Sequence, residues 1–450
     1  MTQPPPKKPS KPRPHSAPTL LVITRFCPLD GTSGAGTYLF SILRYLHSQG
    51  VKIHVGWSEG PESIGRLGWY RVPKEFARIA NLQFPGAISL GRLRIFPAFF
   101  LDPFKKRITG ALKKSLFALG FESLYRKFRP IVPPPEPIND NPESPEPILY
   151  AWDRPPDRFE REFFGRTIAR LQPDALLFNF CWMSPLIDDL SAPDQFLKII
   201  LTNDLRHLYS TLVNGRIQHT EGDYMSKALE IRYLQPADTL AAIREDDAET
   251  FHHECPQHEV LVIPPSFTPS PALQTPLPHR CLFVASDSFA NHEGLLWFLE
   301  SAWPAIRAAQ PETKLHVCGS ICKVLTPNQP GVVLRGFVDS LQSVYDEAAV
   351  VIVPLLRGSG VKIKLMEALA HGKACVTTPI GTEGMPTLDD CVLTASTASE
   401  FAVHVLRLLN DATLRQTHEQ RALATIAGKF SPAACYGPLY QRIVHFHNPS

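Results

Sequence analysis

The sequence predicts an α/β fold made of two doubly wound, Rossmann-like domains that face a cleft. First, the chain has 450 residues, which is more than one hydrophobic core usually serves. Second, short apolar runs alternate with amphipathic segments in both halves, the pattern of βαβ units on a parallel sheet. Third, a stretch near the middle is rich in proline and separates the halves, with prolines at 264, 265, 269, 271, 276 and 278.

These observations divide the chain into parts. Residues 1–18 are basic and proline-rich, and we expect a disordered tail because they cannot bury a core. The N-terminal domain is expected over residues 19–264, with a proline-rich loop at 130–148. Residues 265–280 form the linker, and residues 281–450 form the C-terminal domain, whose last helix could pack back on the N-terminal domain.

Composition excludes several classes of protein. The formal net charge of +3 is too small to indicate a nucleic-acid partner. No apolar run reaches the roughly 18 residues that a membrane-spanning helix needs, and the N-terminus lacks the apolar stretch of a secretory signal. The nine cysteines show no disulfide framework, so we expect reduced thiols in a cytoplasmic protein.

One segment of the N-terminal half is strongly basic. Residues 104–129 carry eight lysines and arginines against a single acid, Glu122, with apolar residues between them. A basic amphipathic helix of this kind can lie on an anionic membrane surface. The alternative is a solvated helix whose apolar stripe packs on its own domain. The first interpretation predicts peripheral contact with the inner face of the cytoplasmic membrane.

The stretch most informative about function is LLRGSGVKIKLMEALAHG, which runs from Leu355 to Gly372. It follows an apolar strand, and a helix is expected to begin near Gly360. Ligands of open parallel sheets bind at the carboxyl ends of the strands. A helix N-terminus placed there attracts anions, phosphate above all. Gly358 and Gly360 allow the backbone to approach such a ligand closely.

Two charged side chains follow this turn. Lys364 would add a positive charge for phosphate. Glu367 lies three residues later on the same helix face and could accept hydrogen bonds from two sugar hydroxyls. Together they suit a nucleoside diphosphate. The residues alone leave open a simpler alternative, a surface ion pair between positions i and i+3 of an ordinary helix.

A family resemblance favours the first interpretation. The stretch GSGVKIKLMEALAHGKACVTTPIGTEG resembles the donor-nucleotide motif of retaining GT-B glycosyltransferases, the large family that includes bacterial sugar and mannosyl transferases. In that family a glycine-rich turn, a lysine and a glutamate precede a segment of the form E-A-x-A-x-G-K-x-V-V. The similarity covers most of residues 280–390. It is weaker in the N-terminal half, where it covers residues 20–55 and 236–256.

The resemblance implies roles for individual residues on the donor side. Lys364 would bind the donor diphosphate, and Glu367 would accept hydrogen bonds from the ribose hydroxyls. The other donor-binding positions that it implies are Gly358, Ser359, Gly360, Thr382, Glu383, Gly384, Ser286, Asn291, Gly31, Ser33, Gly34 and Gly36.

The resemblance also implies a catalytic set and a mechanism. Many relatives carry a His-Asp pair after a late strand of the N-terminal domain. Here the pair is Asn203–Asp204, with His207 close behind, so the catalytic candidates are Lys364, Asp204, Asn203 and His207. Charge grows on the departing diphosphate, where the helix N-terminus and Lys364 would stabilise it. The resemblance therefore implies retention of configuration, with neither a cofactor nor a metal.

The expected function is transfer of a sugar from a nucleoside-diphosphate sugar to a glycan, a lipid-linked acceptor or a small molecule. Two other classes stay open. A sugar-nucleotide epimerase can share this architecture. A catalytically degenerate subunit would bind nucleotide sugar without turnover. The second is kept open by Ser359, which stands where many relatives have a glutamate, and by Asn203, which stands where they have a histidine.

Overall fold

The computed structural model describes residues 17–26, 34–58, 69–96, 154–203, 205, 225–323, 325, 329–338, 340–358 and 361–448. The predictions for the tail, up to residue 16, and for segments 104–129 and 130–148 therefore lie outside the described residues.

The N-terminal domain is built on a parallel sheet of seven strands. In chain order these are β1 Thr19–Thr24, β2 Lys52–Trp57, β4 Ala80–Gln83, β7 Ala175–Asn179, β8 Leu197–Leu201, β9 Thr239–Ala242 and β10 Glu259–Val262. Their order across the sheet is β10-β9-β8-β7-β1-β2-β4. The strands that follow β1 are first added on one side of it, as far as β4, and from β7 onward they are added on the other side. A small antiparallel sheet lies beside it, made of β3 Trp69–Arg71, β5 Ile88–Leu90 and β6 Leu93–Ile95.

Helices cover both faces of this sheet, which is why its central strands are buried and almost wholly apolar. They are α1 Gly34–Ser48, α2 Lys74–Ile79, α3 Arg158–Leu171, α4 Lys227–Leu234 and α5 Glu245–Glu254, with 3₁₀ turns at Cys181–Asp189 and Pro193–Gln195. α3 begins with a capping box, in which Asp157 and Glu160 each accept a hydrogen bond from the other's backbone N–H.

The C-terminal domain is built on a parallel sheet of six strands. They are β11 Arg280–Val284, β12 Lys314–Cys318, β13 Val332–Gly336, β14 Val350–Val353, β15 Cys375–Thr377 and β16 Val392–Thr394. Their order across the sheet is β13-β12-β11-β14-β15-β16. The helices are α6 Phe289–Trp297, α7 Trp303–Ala309, α8 Leu341–Glu347, α9 Ile363–Ala370, α10 Pro379–Thr382, α11 Ala398–Asn410, α12 Ala412–Lys429 and α13 Pro432–His447. Short 3₁₀ turns lie at Ser320–Lys323 and Pro386–Leu388.

Two doubly wound domains were predicted, and the structure confirms them. It corrects one helix boundary at the informative turn. α9 begins at Ile363 rather than near Gly360, because Lys362 has the non-helical angles φ −83° and ψ 77°. Lys364 therefore lies in the first turn of α9, not one turn into it. A π-helical turn, Phe298–Ala302, lies between α6 and α7, and Pro304 follows it near the start of α7.

The last helix lies against the N-terminal domain. α13 packs on α1, where the rings of Tyr45 and Tyr436 are 5.9 Å apart and Ser41 Oγ lies 2.6 Å from the Tyr436 hydroxyl. Arg442 Nε donates to Thr239 Oγ1 over 3.2 Å. The chain end thus ties the two domains together. Among the residues that the structure describes, no helix is both long enough and apolar enough to cross a membrane.

Candidate functional site

A cavity of about 430 Å³ opens at the carboxyl edge of the C-terminal sheet. Its lining comes from the ends of β11, β12 and β13, from α8 and from α9: Val284, Ala285, Ser286, Gly319, Ser320, Phe337, Val338, Leu341, Ile363, Lys364 and Glu367. This is the edge where parallel sheets bind ligands. Of the predicted donor-side residues, Ser286, Lys364 and Glu367 all line this one cavity.

Lys364 is held inside this cavity by two neighbours. Its ammonium contacts Asn291 Oδ1 and lies 6.0 Å from the centroid of the Phe283 ring. Burial, and then the nearby charge of Lys362, lower the pKa of Lys364 to about 8. The charged form is therefore costly in this buried position, and an anionic ligand would stabilise it.

Asn291 connects Lys364 to the end of β11. Its Nδ2 donates to the Ser286 carbonyl over 2.8 Å and to Ser286 Oγ over 3.4 Å, while its Oδ1 accepts from Lys364. The amide is almost fully buried near the start of α6. The structure thus joins three residues of the predicted donor side by hydrogen bonds.

Glu367 uses a different partner. The Tyr345 hydroxyl donates to Glu367 Oε2 over 3.3 Å. Burial raises the pKa of Glu367, and this hydrogen bond opposes the shift. In the described part of the chain, Lys364 and Glu367 form no ion pair with each other. The alternative interpretation, a surface ion pair between positions i and i+3, is therefore not observed. No pattern in the sequence indicated that Tyr345 contacts Glu367.

Lys362, a second lysine near this turn, was not among the residues predicted from the sequence. Lys362 Nζ donates to the Gly358 carbonyl over 2.9 Å and lies 3.9 Å from Glu383 Oε2, and its side chain is 4% exposed. Gly358 itself has φ +143°, a conformation that suits glycine. The sequence signal was present, since Lys362 stands two residues before Lys364. Ser359 and Gly360 lie outside the described residues.

The loop after α10 reaches the N-terminal domain. A Cβ on Gly384, where φ is +72°, would lie 2.9 Å from Asp246 Oδ2 and 3.2 Å from Arg244 Nη1. Arg244 Nη2 donates to Asp247 Oδ1 over 2.7 Å. The predicted stretch from Thr382 to Gly384 therefore lies where the two domains meet.

The predicted residues of the N-terminal domain that the structure describes do not line the cavity. Asn203, at the end of β8, donates from Nδ2 to Asn179 Oδ1 over 3.0 Å. Gly34 and Gly36 lie in the first turn of α1. None of these three lines the 430 Å³ cavity. The remaining predicted positions, Gly31, Ser33, Asp204 and His207, fall outside the described residues.

A buried ion pair supports the end of β1. Arg25 donates to Glu160 through Nε and Nη2, over 2.8 Å each. Ser58 Oγ donates to the same carboxylate over 2.8 Å. Burial raises the pKa of Glu160, but the hydrogen bonds and charge of Arg25, with Ser58, outweigh it and hold that pKa at about 2. The pair joins the end of β1 to the first turn of α3.

Residues 278–411 match the family model of glycosyl transferases group 1. This part of the chain is therefore similar to group 1 glycosyl transferases, and we refer to it below as the group 1 domain. It contains the whole cavity with Lys364, Glu367 and Asn291. A protein of Klebsiella pneumoniae, named "Uncharacterized 44.6 kDa protein in cps region", is 28% identical over a stretch that covers 28% of this chain. That match spans 37% of the Klebsiella protein, little more than a third of its length.

The resemblance to solved structures extends over nearly the whole chain, including the group 1 domain. The crystal structure of TarM has a TM-score of 0.60 at 10% identity, covering 97% of this chain and 99% of TarM. Sucrose-phosphate synthase from Thermosynechococcus elongatus has a TM-score of 0.57 at 14% identity, covering 96% and 100%. Anabaena HepE in complex with UDP and glucose has a TM-score of 0.53 at 11% identity, covering 94% and 99%. These likenesses show the GT-B fold.

Proposed function

We propose that the protein is a glycosyltransferase that moves a sugar from a nucleoside-diphosphate sugar to a glycan, lipid-linked or small-molecule acceptor. The observation that carries this proposal is the pairing of Lys364 and Glu367 on one face of α9. Both side chains enter the same cavity within the group 1 domain. A cation and a carboxylate at this spacing match the two ends of a ribose diphosphate.

The chemistry follows from the charges around the first turn of α9. Breaking the bond between sugar and diphosphate leaves negative charge on the diphosphate. Lys364 and the N-terminus of α9 face that charge, and Lys362 lies beside them. Cations already in place cost no reorganisation as the charge develops. We propose that these positive groups stabilise the departing diphosphate in place of a metal ion. The acceptor hydroxyl attacks from the face of the leaving group, and the leaving phosphate takes its proton, so configuration is retained.

The donor base is proposed from two features. HepE, which shares the fold, is described in complex with UDP and glucose. The rim of the cavity presents Phe337, an aromatic ring that is 73% exposed and lies 5.4 Å below the Lys323 ammonium. A planar base could stack on such a ring. UDP is therefore the first nucleotide to test.

The deciding experiment is calorimetric titration of UDP, GDP and ADP into the purified protein. One nucleotide is expected to bind in the micromolar range. Lys364→Ala should weaken it by about 1.5–3 kcal/mol, the range for a charge-assisted hydrogen bond. Lys314→Ala, at an exposed position at the other end of β12, serves as the matched control and should change little. If no nucleotide binds, or if Lys364→Ala binds as tightly as the wild type, the proposal is wrong.

Turnover then separates the candidate functions. A transferase releases free nucleoside diphosphate in step with glycosylated acceptor, whereas an epimerase converts the sugar nucleotide without an acceptor. A degenerate subunit would bind nucleotide and do neither. The anomeric configuration of the product, read by proton NMR, tests retention. Activity that survives EDTA would support metal independence, and loss restored by a divalent ion would contradict it.

We also propose that the protein works in the cytoplasm at the inner membrane face, in polysaccharide biosynthesis. Support comes from the basic amphipathic composition of residues 104–129 and from the Klebsiella relative, whose name places it in a cps region. Sedimentation with vesicles tests the membrane part. Binding to vesicles with anionic lipid, but not to neutral ones, is expected and should weaken in high salt. Equal binding to both, or to neither, would contradict it.

A further inference from the structure

We infer that Tyr345 is a positioning residue for the donor site, because its hydroxyl orients the Glu367 carboxylate toward the ribose hydroxyls of the nucleotide. This inference rests on the proposed function, in which Glu367 accepts hydrogen bonds from the ribose. It assigns a role to a residue that neither lines the cavity nor belongs to the glycine-rich turn.

The first step is the geometry of the carboxylate. Glu367 is joined to the Tyr345 hydroxyl through Oε2, over 3.3 Å. In the described part of the chain, no other side chain hydrogen-bonds to this carboxylate. A glutamate side chain has three rotatable bonds, and ordering it costs conformational entropy. Because the Tyr345 hydroxyl holds Oε2 in place, most of that freedom is removed before the ligand binds. The other oxygen, Oε1, remains available to the ribose.

The second step is the rigidity of the tyrosine. Tyr345 is 0% exposed, so it cannot reach the ligand itself. The His371 ring stacks on it at 4.3 Å between centroids, with 17° between the planes. His371 Nδ1 in turn lies 3.1 Å from the Ser270 carbonyl. The phenol ring is thus held between the core and the end of α9, the helix that carries Glu367.

The third step is the protonation state of the hydroxyl. Burial raises the pKa of Tyr345 well above 10, and the negative charge of Glu367 raises it further. The hydroxyl therefore keeps its proton at neutral pH and remains a hydrogen-bond donor. A fixed donor against an acceptor-only carboxylate gives one orientation. Tyr345 thus acts on the nucleotide only through Glu367.

The test uses the ratio of two affinities. The tightest binder among UDP, GDP and ADP, and its 2′-deoxy form, are titrated by calorimetry into the full-length protein. The wild type should prefer the ribonucleotide about tenfold, the effect of one hydrogen bond to a charged group. Tyr345→Phe keeps the ring on His371 and should lower this preference to about threefold or less. Its affinity for the 2′-deoxy form should change less than twofold.

Further variants separate positioning from a structural role. Tyr436→Phe removes another buried hydroxyl, one that contacts Ser41 and Ser266 outside the cavity, and should leave the preference unchanged. In a Glu367→Gln background, Tyr345→Phe should lower the preference no further. If Tyr345→Phe does not fold, Glu367→Asp serves instead. It withdraws the carboxylate from the hydroxyl and should lower the preference in the same way.

The outcomes distinguish this inference from the proposed function. If the wild type binds none of the three diphosphates, the proposed function fails and the inference fails with it. If it binds the ribo and 2′-deoxy forms equally, nucleotide binding stands and the inference alone is overturned. The inference is also overturned if Tyr345→Phe weakens binding of the ribo and 2′-deoxy nucleotides by the same factor. It is overturned too if the preference for the ribonucleotide survives in Tyr345→Phe. Where Glu367→Asp is used instead, survival of the preference in that variant overturns it.

Discussion

Asn203 and Asn179, at the ends of the neighbouring strands β8 and β7, are joined by a hydrogen bond of 3.0 Å between their side-chain amides. Asn179 Nδ2 in turn donates a hydrogen bond to Thr24 Oγ1, also over 3.0 Å. The ends of three adjacent strands, β8, β7 and β1, are therefore linked. Asn203 also donates to the Leu201 carbonyl over 3.2 Å. Its amide is therefore a structural group at this edge, whatever its part in catalysis.

The first prediction concerns the backbone of Asn203, where φ is +60°. Asn203→Ala loses the amide but keeps a Cβ in the left-handed region, whereas Asn203→Gly loses both the amide and the Cβ. Asn tolerates this region better than Ala, and the left-handed penalty is about 1–2 kcal/mol. The Gly variant should therefore be the more stable of the two by about 1 kcal/mol in denaturant unfolding. Equal stability of the two variants would show that a Cβ at this left-handed position costs nothing.

The second prediction concerns the Arg25–Glu160 pair. The folded pKa of Glu160 is about 2, below its ordinary value of 4.5. The pair's contribution to stability should therefore be complete above about pH 4.5 and lost as the pH falls toward 2. From this shift the contribution is about 3 kcal/mol.

Urea unfolding at pH 7 and pH 3 checks this prediction. Arg25→Met leaves the carboxylate buried without its main partner and should cost about 3–5 kcal/mol at pH 7. The penalty of Glu160→Gln should shrink at pH 3. Glu162→Gln, at an exposed position on the same helix, is the control. A Glu160→Gln penalty independent of pH would rule out the charge as its source.

The third prediction concerns Lys364, whose pKa burial lowers to about 8. Its charge is fully present below that pH and disappears as the pH rises through it. A bound diphosphate favours the charged form, so nucleotide affinity should fall as the pH rises from 7.5 to 9.5, by up to about tenfold per pH unit. Lys364→Arg should flatten this profile, because arginine keeps its charge. A wild-type affinity that is constant over this range would contradict the assigned pKa or the contact.

The fourth prediction concerns the domain contact at Gly384. Gly384→Ala adds a methyl group 2.9 Å from Asp246 Oδ2 at φ +72°. The backbone penalty alone is about 1–2 kcal/mol. The variant should lower the rate of sugar transfer more than the affinity for nucleoside diphosphate, because the proposed diphosphate site lies within one domain. Gly428→Ala, with open space around its Cβ in α12, should be neutral or slightly stabilising. If both variants behave alike, the contact has no role in turnover.

The sequence by itself determined the two parallel sheets and the alignment of Lys364 with Glu367. Both follow from local rules. Apolar runs alternating with amphipathic ones specify buried strands and covering helices, and a spacing of three residues places two side chains on one helix face. The helix start at Ile363 was placed too early because glycines permit a helical turn without requiring one.

Only the tertiary structure decided the partners of these side chains. Lys364 meets Asn291 across 73 residues, and Arg25 meets Glu160 across 135. Glu367 meets Tyr345 because β14 inserts beside β11, which brings α8 and α9 to the same edge. Such contacts depend on the order of strands in the sheet, and no local pattern encodes that order. The fold class was therefore readable from periodicity, while the electrostatic environment of each candidate residue depended on packing between distant segments.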